Sequence, residues 1–230
     1  MALPEGFGDF WPLGDFDGWR DRLNGFYFSQ TPEGKRELYE PRDEVSYSYY
    51  VNQKFSNEAG SGEGLYQPPL SPIKSHEPPM VFRTEKTYRA LASLIMFNDS
   101  IIAVDEKLKS IIDSMEPNIH EFFPIEIAMP KRNTYPGNYF TFVVGQYFDA
   151  FSSEETRAGS VYEFASGILR PPSSKKGLSG LAVRRSVFGG AHLWRDRAFG
   201  PWLTCFSDEL EAEIAKAGLR LPKHYQMREI

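Results

Sequence analysis

Two stretches of the chain place apolar residues at every second position, which is the period of a β-strand. They lie at 123–129 and 139–144. The residues between them include Tyr-Pro-Gly-Asn at 135–138, which predicts a type II turn with positive φ at Gly137. We therefore predict an antiparallel hairpin with a wide polar tip at 131–133.

Three segments show the apolar spacing of amphipathic helices. The first covers 84–97, with Thr84 as its N-cap. The second begins after the N-cap Asp105 and ends before Pro117, and the third begins after the N-cap Ser207 and ends at Gly218. The predicted buried stripe of the third helix consists of Leu210, Ile214 and Ala217.

Further short runs rich in aromatic and β-branched residues predict additional strands. They lie at 25–29, 45–51, 100–104, 181–187, 191–194 and 202–206. We predict the α+β class, with a β-rich antiparallel sheet and a few packed helices. A stretch rich in Gly, Ser, Pro and Glu at about 56–79 is typical of a linker. It separates a predicted N-terminal subregion, 1–80, from a predicted α+β domain, 81–230.

The composition is that of an ordinary folded protein, with 41% hydrophobic and 25% charged residues among 230. The single cysteine excludes an internal disulfide and favours a reducing compartment. The first residues show no secretory signal pattern, and the apolar runs are far shorter than a membrane span requires. We therefore expect a cytoplasmic protein that does not bind membranes.

The charge is divided unevenly along the chain. Residues 1–80 carry 13 acidic and 7 basic residues, whereas the other 18 acidic and 19 basic residues lie in 81–230, so a net charge of −6 is followed by one of +1. Nucleic-acid binding needs concentrated Lys and Arg and is therefore disfavoured. The acidic segment instead favours a basic protein partner.

The acidic segment also carries large aromatic residues, which are frequent anchors of protein interfaces. The alternative is that its aromatic side chains form a flap over the main sheet, because large exposed apolar patches are unfavourable. The partner-binding candidates are Glu5, Asp9, Trp11, Asp15, Asp17 and Trp19.

No catalytic or cofactor motif of defined spacing is present in the sequence. It contains no phosphate-binding glycine loop, no dinucleotide-binding motif, no H-E-x-x-H, no C-x-x-C and no G-x-S-x-G. The four histidines show no metal-ligand spacing, so we predict neither a metal nor a cofactor. For His120 we expect a structural role that ties the preceding loop to the sheet.

One enzymatic alternative uses Cys205 as a nucleophile, with His192 as base and Asp196 as the group that orients it. The sequence context instead favours a buried, unreactive thiol, because Cys205 lies in an apolar run just before the last helix. The neighbouring segment 194–197, Trp-Arg-Asp-Arg, suggests an interface, or else a buried Trp194 whose charged neighbours face water. A structural or adaptor protein is another alternative.

The segment His120-Glu-Phe-Phe-Pro-Ile-Glu-Ile127, after a helix that ends in acidic residues, resembles a His-x-Phe-x-Pro pattern. That pattern is found in immunity protein family eleven of bacterial polymorphic toxin systems. The resemblance covers about 81–221. One departure lies after the last helix, where residues 218–222 and a basic tail stand in place of the family's turn. Other segments that are similar in order and spacing are 102–109, 148–150, 191–195 and 205–210.

The resemblance implies that the protein neutralises a cognate toxin by binding it, without catalysis, and that the toxin is encoded by a neighbouring gene. The toxin is then expected to act in the cytosol. Members of this family act on different toxins, so the resemblance transfers no binding residue to this chain. The oligomeric state is left open.

Overall fold

The computed structural model describes residues 2–3, 81–84, 87–96, 102–165, 168–172, 174–199 and 203–230. The predicted strands at 25–29 and 45–51 lie outside the described residues. So does the linker at 56–79, and the division of the chain at residue 80 therefore stays a prediction.

The described residues form short strands and four helices. The strands are β1 (Ala2–Leu3), β2 (Val81–Arg83), β3 (Leu94–Met96), β4 (Ile102–Asp105), β5 (Glu121–Met129), β6 (Asn133–Thr134), β7 (Tyr139–Val143), β8 (Tyr147–Phe148), β9 (Tyr162–Ala165), β10 (Ile168–Arg170), β11 (Ala182–Val183), β12 (Leu193–Asp196), β13 (Thr204–Phe206) and β14 (Arg228–Glu229). The helices are α1 (Glu106–Met115), α2 (Lys175–Leu178), α3 (Arg185–Phe188) and α4 (Asp208–Lys216). This mixture confirms the predicted α+β class.

The larger sheet has the strand order β2-β5-β7-β4-β3, with β6 paired to β5. Its pairs are antiparallel except for β2 and β5, which run parallel. The antiparallel pair of β5 and β7 confirms the predicted hairpin. The predicted type II turn is wrong, because Gly137 does not adopt a positive φ. The chain instead reverses at 130–132, where Lys131 and Arg132 have φ values of 62° and 59°.

The smaller sheet has the order β1-β13-β12-β8 and is separated from the larger sheet by apolar side chains. Its cross-strand pairs alternate between its two faces. Leu193 and Phe206 pair and face the larger sheet, whereas Trp194 and Cys205 pair and face the opposite side. The fold is therefore layered, with helices α1 and α4 beside the shared core between the sheets.

Three hydrophobic cores follow from this layering. Core 1 lies on one face of the larger sheet and contains Phe82, Ile95, Ala103, Ile127, Tyr139 and Val143. Core 2 lies between the sheets and contains Leu94, Ile102, Val104, Leu108, Ile112, Phe142, Val144, Leu193, Phe206, Leu210 and Ile214. Core 3 lies on the far face of the smaller sheet and contains Ala150, Leu178, Leu181, Val183, Phe188, Trp194, Phe199, Leu203, Cys205 and Met227.

The predicted helix after Asp105 is confirmed as α1. The Asp105 side chain accepts a hydrogen bond from the backbone N–H of Leu108, which satisfies one free donor of the first turn. Leu108 and Ile112 are buried in core 2, and each contributes about 2 kcal/mol by removing apolar surface from water. The helix ends before Pro117, as predicted.

The predicted last helix is confirmed as α4. Ser207 accepts a hydrogen bond from the backbone N–H of Leu210, and Gly218 takes a positive φ of 68° just beyond the helix. Leu210 and Ile214 are buried as predicted. Ala217 is exposed, so its predicted place in the buried stripe is wrong.

The helix predicted at 84–97 is wrong, since its described residues form an irregular segment followed by strand β3. Leu94 packs in core 2 while its neighbour Ile95 packs in core 1, which requires the alternation of a strand. Backbone donors in this segment bind distant groups, as when Leu91 N–H donates to the Tyr135 hydroxyl. Tertiary contacts therefore override the local helical spacing.

The strand predicted at 181–187 is only partly correct. Its first residues form β11, and the rest form helix α3. Strand β11 pairs in parallel with the C-terminal β14, and Arg185 forms an ion pair with Glu229 of β14. The C-terminal segment is therefore part of the fold beside core 3, where Met227 is buried.

Candidate functional site

The residues predicted to bind a partner all lie outside the described residues. The set consists of Glu5, Asp9, Trp11, Asp15, Asp17 and Trp19. Their role therefore stays a prediction. The polar groups whose geometry is described lie in residues 81–230, which we call the body.

The carboxylate of Glu116, just beyond the end of α1, is a highly connected polar group among the described residues. Its Oε1 accepts hydrogen bonds from Gln146 Nε2 at 2.5 Å and from the backbone N–H of His192 at 2.7 Å. Its Oε2 accepts from His120 Nε2 at 2.8 Å and from the backbone N–H of Leu193 at 3.0 Å. One buried side chain thus connects the end of a helix to both sheets.

The surroundings of Glu116 favour its ionised form. Burial alone raises the pKa of a carboxyl, but the hydrogen bonds from His120, from the His192 backbone and from Gln146 outweigh burial and lower the pKa of Glu116 below its usual value of 4.5. Four donors directed at two oxygens match the acceptor capacity of a carboxylate and exceed that of a neutral acid. Glu116 is therefore a structural anion.

His120 completes this network from the start of β5. Its Nδ1 accepts a hydrogen bond from the backbone N–H of Gly145 at 3.1 Å, so its Nε2 carries the proton donated to Glu116. The His120 side chain is fully buried. The expected role of His120, tying the preceding loop to the sheet, is confirmed.

The segment Trp194–Arg197 is buried more deeply than expected. Trp194 lies in core 3, stacked on Phe188 with 4.4 Å between ring centroids, which confirms its predicted burial. The expectation that its charged neighbours face water is wrong for Arg195 and Asp196, because each is only 1% exposed. Their position on the central strand β12 of the smaller sheet explains this burial.

Asp196 is held by backbone donors. Its oxygens accept from the N–H groups of Phe151 at 2.7 Å and Ala198 at 3.0 Å. Burial raises the pKa of Asp196 to about 6, and the backbone hydrogen bonds oppose a larger rise. Because the folded pKa exceeds the ordinary value of 3.8, the contribution of Asp196 to stability decreases as the pH rises from 3.8 through about 6.

Cys205, His192 and Asp196 do not form a catalytic triad in the described structure. Cys205 is fully buried in core 3, and burial together with the nearby Asp196 charge raises the pKa of its thiol. A nucleophilic cysteine needs the opposite shift. The His192 ring hydrogen-bonds through Nδ1 to the Ser207 hydroxyl at 2.9 Å, at the start of α4.

We expect the Cys205 thiol of the folded protein to resist a water-soluble thiol reagent at pH 8, because reaction requires both exposure and the thiolate. The rate of modification is expected to be at least about a hundredfold lower than in the urea-unfolded protein. The absorbance of the coloured group that the reagent releases measures the modification rate before and after urea is added. Rapid modification without urea would contradict this burial and restore the enzymatic alternative.

Glu116 is not among the residues predicted from the sequence, although the sequence contains a signal for it. Glu116 and His120 stand four residues apart, just after the second predicted helix. An acid and a histidine at this spacing can form a hydrogen bond, and a buried acid requires such partners. In the described part of the chain, no group of three or more His, Cys, Asp or Glu residues is placed to hold a metal ion.

The fold and these polar groups define a class of protein. It is a layered α+β protein whose described buried acids, histidine and cysteine are held by structural contacts. The family model of the immunity protein family (Imm11) matches residues 30–227, so the chain belongs to this family. The match extends further toward both ends than the predicted resemblance at 81–221, and the family indicates a toxin-neutralising immunity role. No curated protein matches the chain.

Among the described helices, none has the length and apolar character needed to cross a membrane.

Proposed function

We propose that this protein neutralises a cognate bacterial toxin by binding it and occluding its active cleft, without catalysing a reaction. The family match over residues 30–227 carries this proposal. The arrangement of the buried polar groups supports it, because Glu116 and Asp196 accept hydrogen bonds from internal donors and Cys205 is fully buried. Steric occlusion requires a stable folded surface and no reactive group.

The proposal includes the biological setting of an immunity protein. The toxin is encoded by a neighbouring gene, and the two proteins meet in the cytoplasm of the producing cell or of a related neighbour during competition between bacteria. No nucleic acid and no cofactor takes part. The modest overall net charge of −5 supports a partner other than nucleic acid.

Expression of the adjacent toxin gene in a host cell tests this function directly. Growth is expected to stop when the toxin is expressed alone and to resume when this protein is co-expressed. The purified toxin and immunity protein are also expected to elute together from a size-exclusion column. Growth arrest that persists despite soluble immunity protein would refute the proposal.

We propose that the acidic N-terminal residues form part of the toxin-binding surface, through Glu5, Asp9, Asp15 and Asp17 with the aromatic Trp11 and Trp19. Carboxylates supply attraction to a basic cleft, and indole rings supply buried contact area. The net charge of −6 over residues 1–80 supports this assignment.

Replacing Asp9, Asp15 and Asp17 together with Asn is expected to weaken toxin binding about tenfold or more at low salt, mainly through slower association. The difference is expected to shrink at moderate salt, because salt screens exposed charges. Surface plasmon resonance at two salt concentrations measures both effects.

The matched control changes three aspartates of the body to Asn and alters the net charge equally. It uses Asp113, Asp149 and Asp208, which are all outside the N-terminal segment. Equal affinities for the two triple variants and the unmodified protein would remove the acidic segment from the mechanism.

A further inference from the structure

The hairpin tip between β5 and β6 holds two basic residues in a backbone conformation that disfavours them. Lys131 and Arg132 have φ values of 62° and 59°, in the left-handed region. L-residues with long side chains rarely adopt this region, whereas Gly and Asn do so readily. Glycine at either position would relieve the strain, so stability alone does not explain the two basic residues.

The surrounding structure fixes this conformation. Strands β5 and β6 pair on both sides of the tip, through Ala128 with Thr134 and Met129 with Asn133. The Asn133 amide donates to the carbonyl of Pro130 at 3.2 Å and closes the turn. The tip is therefore a preorganised element, held by the strands behind it.

The two basic side chains are exposed, and neither forms an ion pair or hydrogen bond with another residue in the part of the chain that is described. The Lys131 and Arg132 side chains therefore contribute no described contact that offsets the strain of their backbone. Strain of this kind is found mainly at functional sites, where a side chain is presented to something else.

Beside the tip lies a groove of about 400 Å³. Three apolar residues, Ala128, Met129 and Pro130, line it together with Arg132 and the polar Thr84, Glu126, Asn133 and Thr134. Within this lining, Glu126 accepts a hydrogen bond from the Thr134 hydroxyl at 3.1 Å. A depression that combines apolar side chains with a guanidinium group and polar side chains has the composition of a small interface site.

We propose that the Lys131–Arg132 tip and its groove form a second contact surface for the toxin, which receives an acidic, partly apolar patch of the toxin surface. This inference rests on the proposed function, because it names the toxin as the occupant. Charge complementarity sets the chemistry of the patch, since two adjacent cations with no described counter-ion attract carboxylates. The acidic N-terminal segment, of opposite charge, then contacts a different part of the toxin.

The test replaces both Lys131 and Arg132 with Gly and measures two properties, the stability of the protein and its affinity for the toxin. The unfolding midpoint in urea is expected to stay the same or rise, because Gly accepts the left-handed conformation. Affinity for the purified toxin encoded by the adjacent gene is expected to fall about tenfold at low salt. A tip with only a structural role would leave the affinity unchanged.

Two controls separate charge from backbone effects. The exchange Lys131→Arg with Arg132→Lys keeps both charges and is expected to retain most of the affinity. The pair Lys107→Gln and Lys216→Gln removes two exposed charges elsewhere on the body and is expected to bind the toxin like the unmodified protein.

The outcomes distinguish this inference from the proposed function. Binding by the unmodified protein and equal binding by the double-Gly variant would overturn the contact surface and leave the immunity function standing. The contact surface would also be overturned if the double-Gly variant lost affinity for a double-stranded DNA oligonucleotide while its toxin affinity stayed unchanged. Failure of the unmodified protein to bind the toxin would overturn both.

Discussion

Replacing Glu116 with Gln is expected to lower the free energy of unfolding by about 3 kcal/mol or more. Each Glu116 oxygen accepts two hydrogen bonds, from Gln146 and His192 on one side and from His120 and Leu193 on the other. A Gln side chain has one acceptor oxygen, so its NH₂ group faces two N–H donors in either orientation. Urea unfolding followed by circular dichroism measures the loss.

The matched control is Glu213→Gln on the exposed face of α4. The Glu213 carboxylate is 47% exposed and pairs only with Lys216 among the described residues, so its replacement is expected to change stability by less than about 0.5 kcal/mol. A Glu116→Gln effect as small as that of the control would show that the network contributes little to folding.

The pH dependence provides a second check on Glu116. The pKa of Glu116 is lower in the folded state, so its stabilising contribution is fully present above the ordinary value of 4.5. The contribution is lost as the pH falls through the lower, folded pKa. The stability difference between the unmodified protein and the Gln variant is therefore expected to be constant at neutral pH and to narrow in acid.

Replacing Gly145 with Ala is expected to lower the free energy of unfolding by about 3 kcal/mol or more, or to abolish soluble expression. A Cβ atom at this position would lie 1.7 Å from the carbonyl oxygen of Ile119. That oxygen belongs to the backbone, so no side-chain rotation relieves the collision. Separation of the two segments would also break the hydrogen bond from Gly145 N–H to His120.

Gly190→Ala is the matched control for this substitution. A Cβ atom at Gly190 would meet nothing within 4 Å, and its φ is not positive. Its thermal midpoint is expected to equal that of the unmodified protein within experimental error. If Gly145→Ala were equally tolerated, the close approach of the 119–120 and 145 backbones would be contradicted.

The elements that the sequence predicts correctly are those whose stability is decided within a few residues. Helices α1 and α4 each have a side-chain N-cap and an apolar stripe, so capping and burial agree. The β5–β7 hairpin is predicted because strict alternation continues over many residues. These local signals fix the element type, and the α+β class follows from their mixture.

The errors occur where distant contacts decide the conformation. Residues 88–95 have helical spacing, yet Leu94 and Ile95 must serve two cores on opposite faces of one sheet. The second half of 181–187 forms α3, where Arg185 N–H donates to the carbonyl of Ile230. Neither partner is visible from the local pattern, because the groups that decide the structure lie far away in sequence.

The candidate site is predictable to a smaller extent. The burial of Trp194 was predicted from the general tendency of tryptophan to be buried, and the structural role of His120 from its place at the start of a predicted strand. The hydrogen bonds of Glu116 could not be predicted, because their donors come from three segments that are far apart along the chain. The acidic N-terminal residues remain a prediction based on charge and aromatic content.

The parallel strand pairs set the time scale of folding. Val81 pairs with Glu126, Tyr147 with Arg195, and Ala182 with Arg228, and each pair joins residues that are far apart along the chain. Such non-local pairing slows folding into a range of about milliseconds to seconds, because long loops must close before the contacts form. Folding of this protein is therefore expected to be limited by closure of these long loops rather than by formation of its local helices and hairpin.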